Sequence, residues 1–211
     1  MNGSVVAFEP VDEPVLPESG PIRIHLGCNQ HPLPGYINVD VENFAGVDVV
    51  ADLEKPWPWP DNHADEIYTA DLPEHLRGWY ETPDPAQMSL AEHAIGRGRI
   101  DEAVGYLFNA ISKPVRTYGV IHFMNEAHRV LKPGGYLKAR IPTTQSKAWA
   151  QDPTHVSFWN ENTFLYFTHP GYRGLYPHLI TAKFEAVKVD TIMPNQYGES
   201  WVKAILRKPL A

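Results

Sequence analysis

A glycine and an aspartate stand out for the chemistry their spacing allows. Gly27 ends the apolar run Ile22 to Leu26, and Asp40 ends a second run thirteen residues later, within IRIHLGCNQHPLPGYINVDV. A glycine at a strand end lets a ligand approach the backbone without meeting a β-carbon, and a carboxylate ending the next strand can accept from both hydroxyls of a ribose. The pair suits an adenosine-bearing ligand. A dinucleotide site would need G-x-G-x-x-G opening a helix, whereas Gly27-Cys28-Asn29-Gln30-His31-Pro32 lacks the second and third glycines. No Gly-Lys-Ser/Thr ending of a phosphate loop follows either. The expected ligand therefore lacks phosphates, and S-adenosylmethionine, an adenosine carrying a sulfonium, fits.

A second candidate lies in Gln151-Asp152-Pro153-Thr154-His155-Val156. His155 can take a proton from an acceptor hydroxyl or amine, with Asp152 orienting it; the competing reading has both residues only bonding their own loop. Trp149, Phe158, Trp159 and Tyr166 suggest either an aromatic wall for a ring or sugar, or packing. Cys28, with no neighbouring cysteine or basic cluster, reads as a small packing residue. The ten histidines are scattered, and His122 and His128 lack the i, i+4 spacing of a helical zinc site, so no metal is expected.

These residues need elements to position them. With 211 residues, 43% of them hydrophobic, the chain suits one well-cored domain. Residues 1–20 read as an N-terminal arm, extended or disordered, ahead of a single domain over 21–211. Near-continuous apolar strands are expected at Ile22 to Leu26, Tyr36 to Val41, Val47 to Ala51 and Glu66 to Ala70. Between Gly27 and Tyr36 the prolines Pro32 and Pro34 leave no room for a crossover helix. Residues 77–119 read as a helical lid insertion, with helices at Ala86 to Ile95 and Ile100 to Ile111. A helix built on Val120, Phe123, Met124, Ala127, Val130 and Leu131 then stops at Lys132-Pro133-Gly134-Gly135. Strand five follows over Tyr136 to Ile141, then a short helix near Glu161 to Phe167, and antiparallel strands at Ala182 to Ile192 and Trp201 to Leu206. The expected class is α/β: a Rossmann-like, mostly parallel seven-stranded sheet with helices on both faces and an antiparallel C-terminal edge.

The net charge of -7 works against binding a nucleic-acid backbone. One cysteine excludes an internal disulfide framework, no run approaches a membrane span, and the first residues lack the basic start and apolar core of a signal peptide. A cytoplasmic protein acting on a small molecule is the plain expectation, with no oligomeric state specified.

Over roughly residues 22–167 the chain resembles the class I, seven-stranded S-adenosylmethionine-dependent methyltransferases, especially the short type 11-like branch common in bacterial and phage genomes. Leu26-Gly27-Cys28 is similar to the family's glycine-rich motif, Asn38-Val39-Asp40 to its ribose-binding acid, and Ala51-Asp52-Leu53 to the Asp-Leu pair that contacts adenine. Pro58-Trp59-Pro60-Asp61-Asn62, Glu74-His75-Leu76 and above all EAHRVLKPGG at 126–135 add to the likeness. Asn29 stands where the family has glycine and Pro73 where an aliphatic residue is more usual; Asn tolerates positive φ, so the turn can survive. The resemblance implies a cofactor edge of Leu26, Gly27, Cys28, Asp40, Asp52 and Leu53, with Asp71 facing the methionyl ammonium or the substrate. It implies methyl transfer to a sugar, nucleotide or metabolite; the alternatives are transfer of another group, such as aminopropyl, and a non-catalytic binding or assembly protein of the same fold.

Overall fold

The computed structural model describes residues 20–78, 80–81, 85–112, 115–116 and 118–210. The N-terminal arm, Gly20 apart, and parts of the 77–119 insertion lie outside the described residues. Seven strands form one sheet: β1 (Arg23–Leu26), β2 (Ile37–Asp40), β3 (Val49–Val50), β4 (Ala64–Ala70), β5 (Leu131–Pro142), β6 (Glu185–Thr191) and β7 (Trp201–Arg207). Their order is β3-β2-β1-β4-β5-β7-β6, parallel through β5 and antiparallel at the last two pairings. The Rossmann-like, mostly parallel architecture with an antiparallel C-terminal edge is thus the one expected. Reversal of strand order at β1 and β4 opens a crevice beyond their carboxyl ends, where α/β sheets bind ligands.

Side chains alternate across a strand, and the register aligns Ile24, Ile37, Ile67, Leu137 and Leu206 in one row and Leu26, Val39, Ala139 and Ala204 in the next. All of these are buried on one face. Helix α3 (Gly119–Val130) lays Phe123, Met124, Ala127 and Val130 into the same core, as do Trp57, Trp59, Trp159, Phe164 and Phe167. The opposite face carries His25, Tyr68, Lys138 and Ile205 in register, a mostly polar and aromatic row ending on an aliphatic side chain. Helices flank the sheet as expected, and α3 with Phe164 and Phe167 supplies the helical members of the core. The links 27–36, 41–48 and 51–63 contain no helix. The first crossover is a loop, in keeping with Pro32 and Pro34.

The insertion holds α1 (Pro85–Gly96) and α2 (Ile100–Ser112), which pack on each other with Ala91, Ala94 and Ala103 buried. Two-residue strands, Tyr80–Glu81 and Val115–Arg116, pair antiparallel at its base; such short extended segments leave no periodicity to read. Short helices α4 (Lys147–Ala150), α5 (Leu165–Thr168) and α6 (Pro170–Arg173) complete the elements, α5 continuing a 3-10 turn over Glu161–Phe164. Among the described residues no helix is long and apolar enough to cross a membrane.

Candidate active site

At the carboxyl end of β1 the chain turns at Gly27, φ +68°, and Asn29, φ +46°. A β-carbon on Gly27 would stand 3.0–3.1 Å from the Leu72 side chain, so the glycine serves the turn and its packing together. Asn29 adopts the left-handed conformation that asparagine tolerates better than most residues, and its Oδ1 accepts from the Gln30 amide at 2.8 Å. The Cys28 amide donates to the Val39 carbonyl at 3.0 Å, tying this turn to β2.

That tie brings Asp40 beneath the turn. Its Oδ2 accepts from the Asn29 amide at 2.8 Å and its Oδ1 from the Glu42 amide at 3.1 Å. A carboxylate has about four acceptor sites, so two remain. Asp52, after β3, is fixed by the Glu54 amide, which donates to Oδ1 at 2.9 Å. Gly27, Asp40, Asp52, Leu53, Leu72 and His75 line a cavity of about 380 Å³, within the range of small-ligand sites. Its described lining contains no Lys or Arg and includes three acids, Asp40, Asp52 and Glu54. The expected cofactor residues divide here. Gly27, Asp40, Asp52 and Leu53 meet at the cavity, whereas Leu26 and Cys28 are buried behind it at 0% and 2% exposure. Burial, and secondarily Asp40, pushes the Cys28 thiol up, which suits a packing residue.

His75 also lines a second cavity, of about 420 Å³, with Asp71, Glu74, Asp152, His155, Glu199 and Trp201. A 3-10 turn, Pro73–His75, carries Glu74 and His75 off the end of β4, with proline at a first-turn position that needs no amide donor. Gly119 lets α3 pack against this turn: a β-carbon there would overlap the Leu76 carbonyl oxygen. The 152–157 loop is stitched to the same turn by the Val156 amide on the Glu74 carbonyl at 2.8 Å and the Ser157 hydroxyl on the Pro73 carbonyl at 3.2 Å. Residues 80 positions apart thereby meet, with the His75 and His155 rings 4.5 Å apart and edge-on.

Hydrogen bonding fixes both ring tautomers. Nδ1 of His155 lies 2.9 Å from the Trp149 carbonyl, which can only accept, so Nδ1 carries the proton. The Thr154 hydroxyl spends its one proton on Asp152 Oδ1 at 2.6 Å and must accept from His75 Nδ1, at 2.9 Å. With Nδ1 protonated in both, Nε2 is the nitrogen that is bare when the ring is neutral. That of His155 lies 3.8 Å from both Glu74 Oε1 and Asp152 Oδ2. The His75 pKa is lowered, by burial and then by His155. Thr154 holds the Asp152 carboxyl below its usual range. His155 and Asp152 therefore do come together, yet the Trp149 carbonyl sets the ring, and Asp152 mainly braces its own loop.

Glu74 is the residue that sequence reasoning passed over. It is 0% exposed, and neither carboxylate oxygen has a hydrogen-bond partner among the described residues. Burial, reinforced by the Asp71 and Asp152 charges, raises its pKa from 4.5 to about 8. Its sequence signals were its place in Glu74-His75-Leu76, quoted for the family likeness without a site role, and a charge inside the apolar-flanked Leu72-Pro73-Glu74-His75-Leu76. Asp71, φ +54°, pairs with Arg140 and accepts from Trp201 Nε1 at 2.8 Å, so its carboxylate belongs to the second cavity. The aromatic wall does not assemble as one surface: Trp159 is buried against Phe164, Phe158 is 65% exposed over Trp149, and Tyr166 meets Tyr172 edge-on and Tyr176 at a tilt.

No family model matches this chain, and no curated protein matches it. Solved structures similar to it include a SAM-dependent methyltransferase from Archaeoglobus fulgidus, 13% identical over 90% of this chain and 87% of that one, TM-score 0.49. The N-methyltransferase NodS from Bradyrhizobium japonicum, in complex with S-adenosyl-L-homocysteine, is 12% identical over 90% and 78%, TM-score 0.48. The cyclase SpnF is 13% identical over 91% and 76%, TM-score 0.48. Likeness at this distance assigns neither family nor activity.

Proposed function

We propose that the chain is an S-adenosylmethionine-dependent methyltransferase acting on a small-molecule acceptor. The supporting observation is the pair of adjoining cavities at the carboxyl edge of the sheet, one bearing Gly27, Asp40 and Asp52 and the other bearing titratable side chains, with His75 common to both. The first cavity suits the cofactor on its own chemistry. Its glycine turn admits close backbone approach, its acids favour a cationic ligand, and its described lining offers no lysine or arginine for a phosphate. Asp40, preoriented by two backbone amides, would hold the ribose hydroxyls with its remaining lone pairs, while Asp52 and Leu53 would flank the adenine.

When bound, S-adenosylmethionine supplies a sulfonium methyl electrophilic enough to need no covalent enzyme intermediate. What the chain contributes is then alignment, exclusion of water and removal of one proton. His155 offers its bare Nε2 for that proton, and the adjacent Asp152 carboxylate favours the imidazolium that results. His75, on the shared wall, positions what passes between the cavities. The test is release of S-adenosylhomocysteine from the purified chain against a panel of sugars, nucleotides and amines. Turnover that falls at least about a hundredfold in His155→Gln supports the reading. Formation of methylthioadenosine would instead indicate aminopropyl-type transfer.

A further inference from the structure

Glu74, His75 and His155 can each turn one ligating atom into the same small space, with those atoms all within 4.8 Å of one another. The two histidines are prepared as ligands usually are. Each ring is pinned through Nδ1, one by a backbone carbonyl and one by a hydroxyl, leaving the Nε2 lone pair directed elsewhere. Glu74 supplies the independent observation. A fully buried carboxylate with both oxygens lacking a partner is an arrangement that buried polar groups avoid. Arg140, paired with Asp71, makes no hydrogen bond to this carboxylate, although its charge opposes the rise in the Glu74 pKa. The wall around the cluster adds Asp71, Asp152 and Glu199, so the cavity gathers acids around two imidazoles.

We propose that Glu74, His75 and His155 bind one divalent first-row transition metal ion, zinc being one that two nitrogens and one oxygen suit. Imidazole donors argue against calcium or magnesium, which take oxygen ligands. Three protein ligands with a fourth position open is the pattern of reactive rather than structural zinc sites. With bonds of roughly 2.1 Å, tetrahedral ligands stand about 3.4 Å apart. The 3.8 Å between His155 Nε2 and Glu74 Oε1 closes to that by a small side-chain rotation. The backbone around Glu74 is already anchored by Val156 and Ser157, so the site is built before the ion arrives. Ion and proton compete for the same His155 lone pair, and a bound ion makes His155 a ligand in place of a base. Metal binding at this cluster does not require methyl transfer.

The experiment is calorimetric titration of zinc chloride into the chelator-treated full chain, paralleled by the visible absorption of bound Co²⁺. One equivalent should bind, and His75→Asn and His155→Gln should each weaken binding at least about tenfold and abolish the Co²⁺ band. His31→Asn, at an exposed histidine away from the cluster, should bind like the parent. Thermal unfolding establishes that the variants are folded; should His155→Gln fail, His75→Asn, at a partly exposed position, decides. No uptake by the folded parent, or undiminished uptake in a folded ligand variant, overturns the proposal.

Discussion

Replacing Glu74 by Gln should change how stability depends on pH. The carboxyl titrates near 4.5 in an unfolded chain and at about 8 in the folded one, chiefly because burial penalises its charge. A raised folded pKa means that the folded state holds the proton more tightly. The associated stability is complete below pH 4.5 and is lost as pH rises toward 8 and beyond. Inserting these two values in the linkage relation gives a loss of about 3 kcal/mol between pH 5.5 and 8.0 from this one group. Glu74 is fully buried, so no discount for solvent screening applies. Several histidines, His25, His63, His75 and His128, have lowered pKa values and pull the other way, gaining stability as pH rises through the acid range. The comparison with Glu74→Gln, whose amide mimics the protonated acid, cancels them. Urea unfolding followed by circular dichroism, with chelator present, should show the stability of Glu74→Gln relative to the parent rising by about 3 kcal/mol from pH 5.5 to 8.0. A constant difference across that range would refute the argument that burial without a hydrogen-bond partner raises the Glu74 pKa.

Gly119→Ala should destabilise the fold by more than about 2 kcal/mol, because its β-carbon would overlap the Leu76 carbonyl and force α3 off the turn that carries Glu74 and His75; thermal unfolding measures it. Arg129→Ala should cost about 1–3 kcal/mol in chemical unfolding, since its guanidinium bonds Glu126, Asp61 and the Trp57 and Trp59 carbonyls together. The same variant should leave affinity for S-adenosylhomocysteine within about threefold of the parent by calorimetry, because this clamp lies outside the cofactor cavity.

The strands and α3 were legible because their signals are local. Apolar runs and 3.6-residue spacing report burial directly, and the two prolines in 28–35 told correctly of a crossover without a helix. Even so, the helix stop at Lys132-Pro133-Gly134-Gly135 begins β5 earlier than expected, at Leu131, whose backbone is already extended. The EAHR of the 126–135 signature, which carried the family likeness most strongly, holds the fold together, since Glu126 accepts from the Trp57 amide while Arg129 grips the same loop. Signature and site need not coincide. Asp40 and Asp52 could be placed at the carboxyl edge because one ends a strand and the other closely follows one, where position implies direction. Glu74 and His75 could not, since their meeting with His155 depends on hydrogen bonds between a turn and a loop some eighty residues later. Spacing along the chain, used to judge the histidines, is blind to such a cluster. Asp71 was read at a strand tip facing the methionyl ammonium or the substrate, and its positive φ and its bonds to Arg140 and Trp201 set its carboxylate at the second cavity.

Calorimetry of the folded chain with S-adenosylmethionine and S-adenosylhomocysteine probes the cofactor cavity without any knowledge of the acceptor. One site is expected for each ligand, with a loss of at least about tenfold in affinity in Asp40→Ala, a charge-assisted contact contributing roughly 1.5–3 kcal/mol. Absence of binding by either ligand, or binding that Asp40→Ala leaves unchanged, would contradict the cofactor assignment.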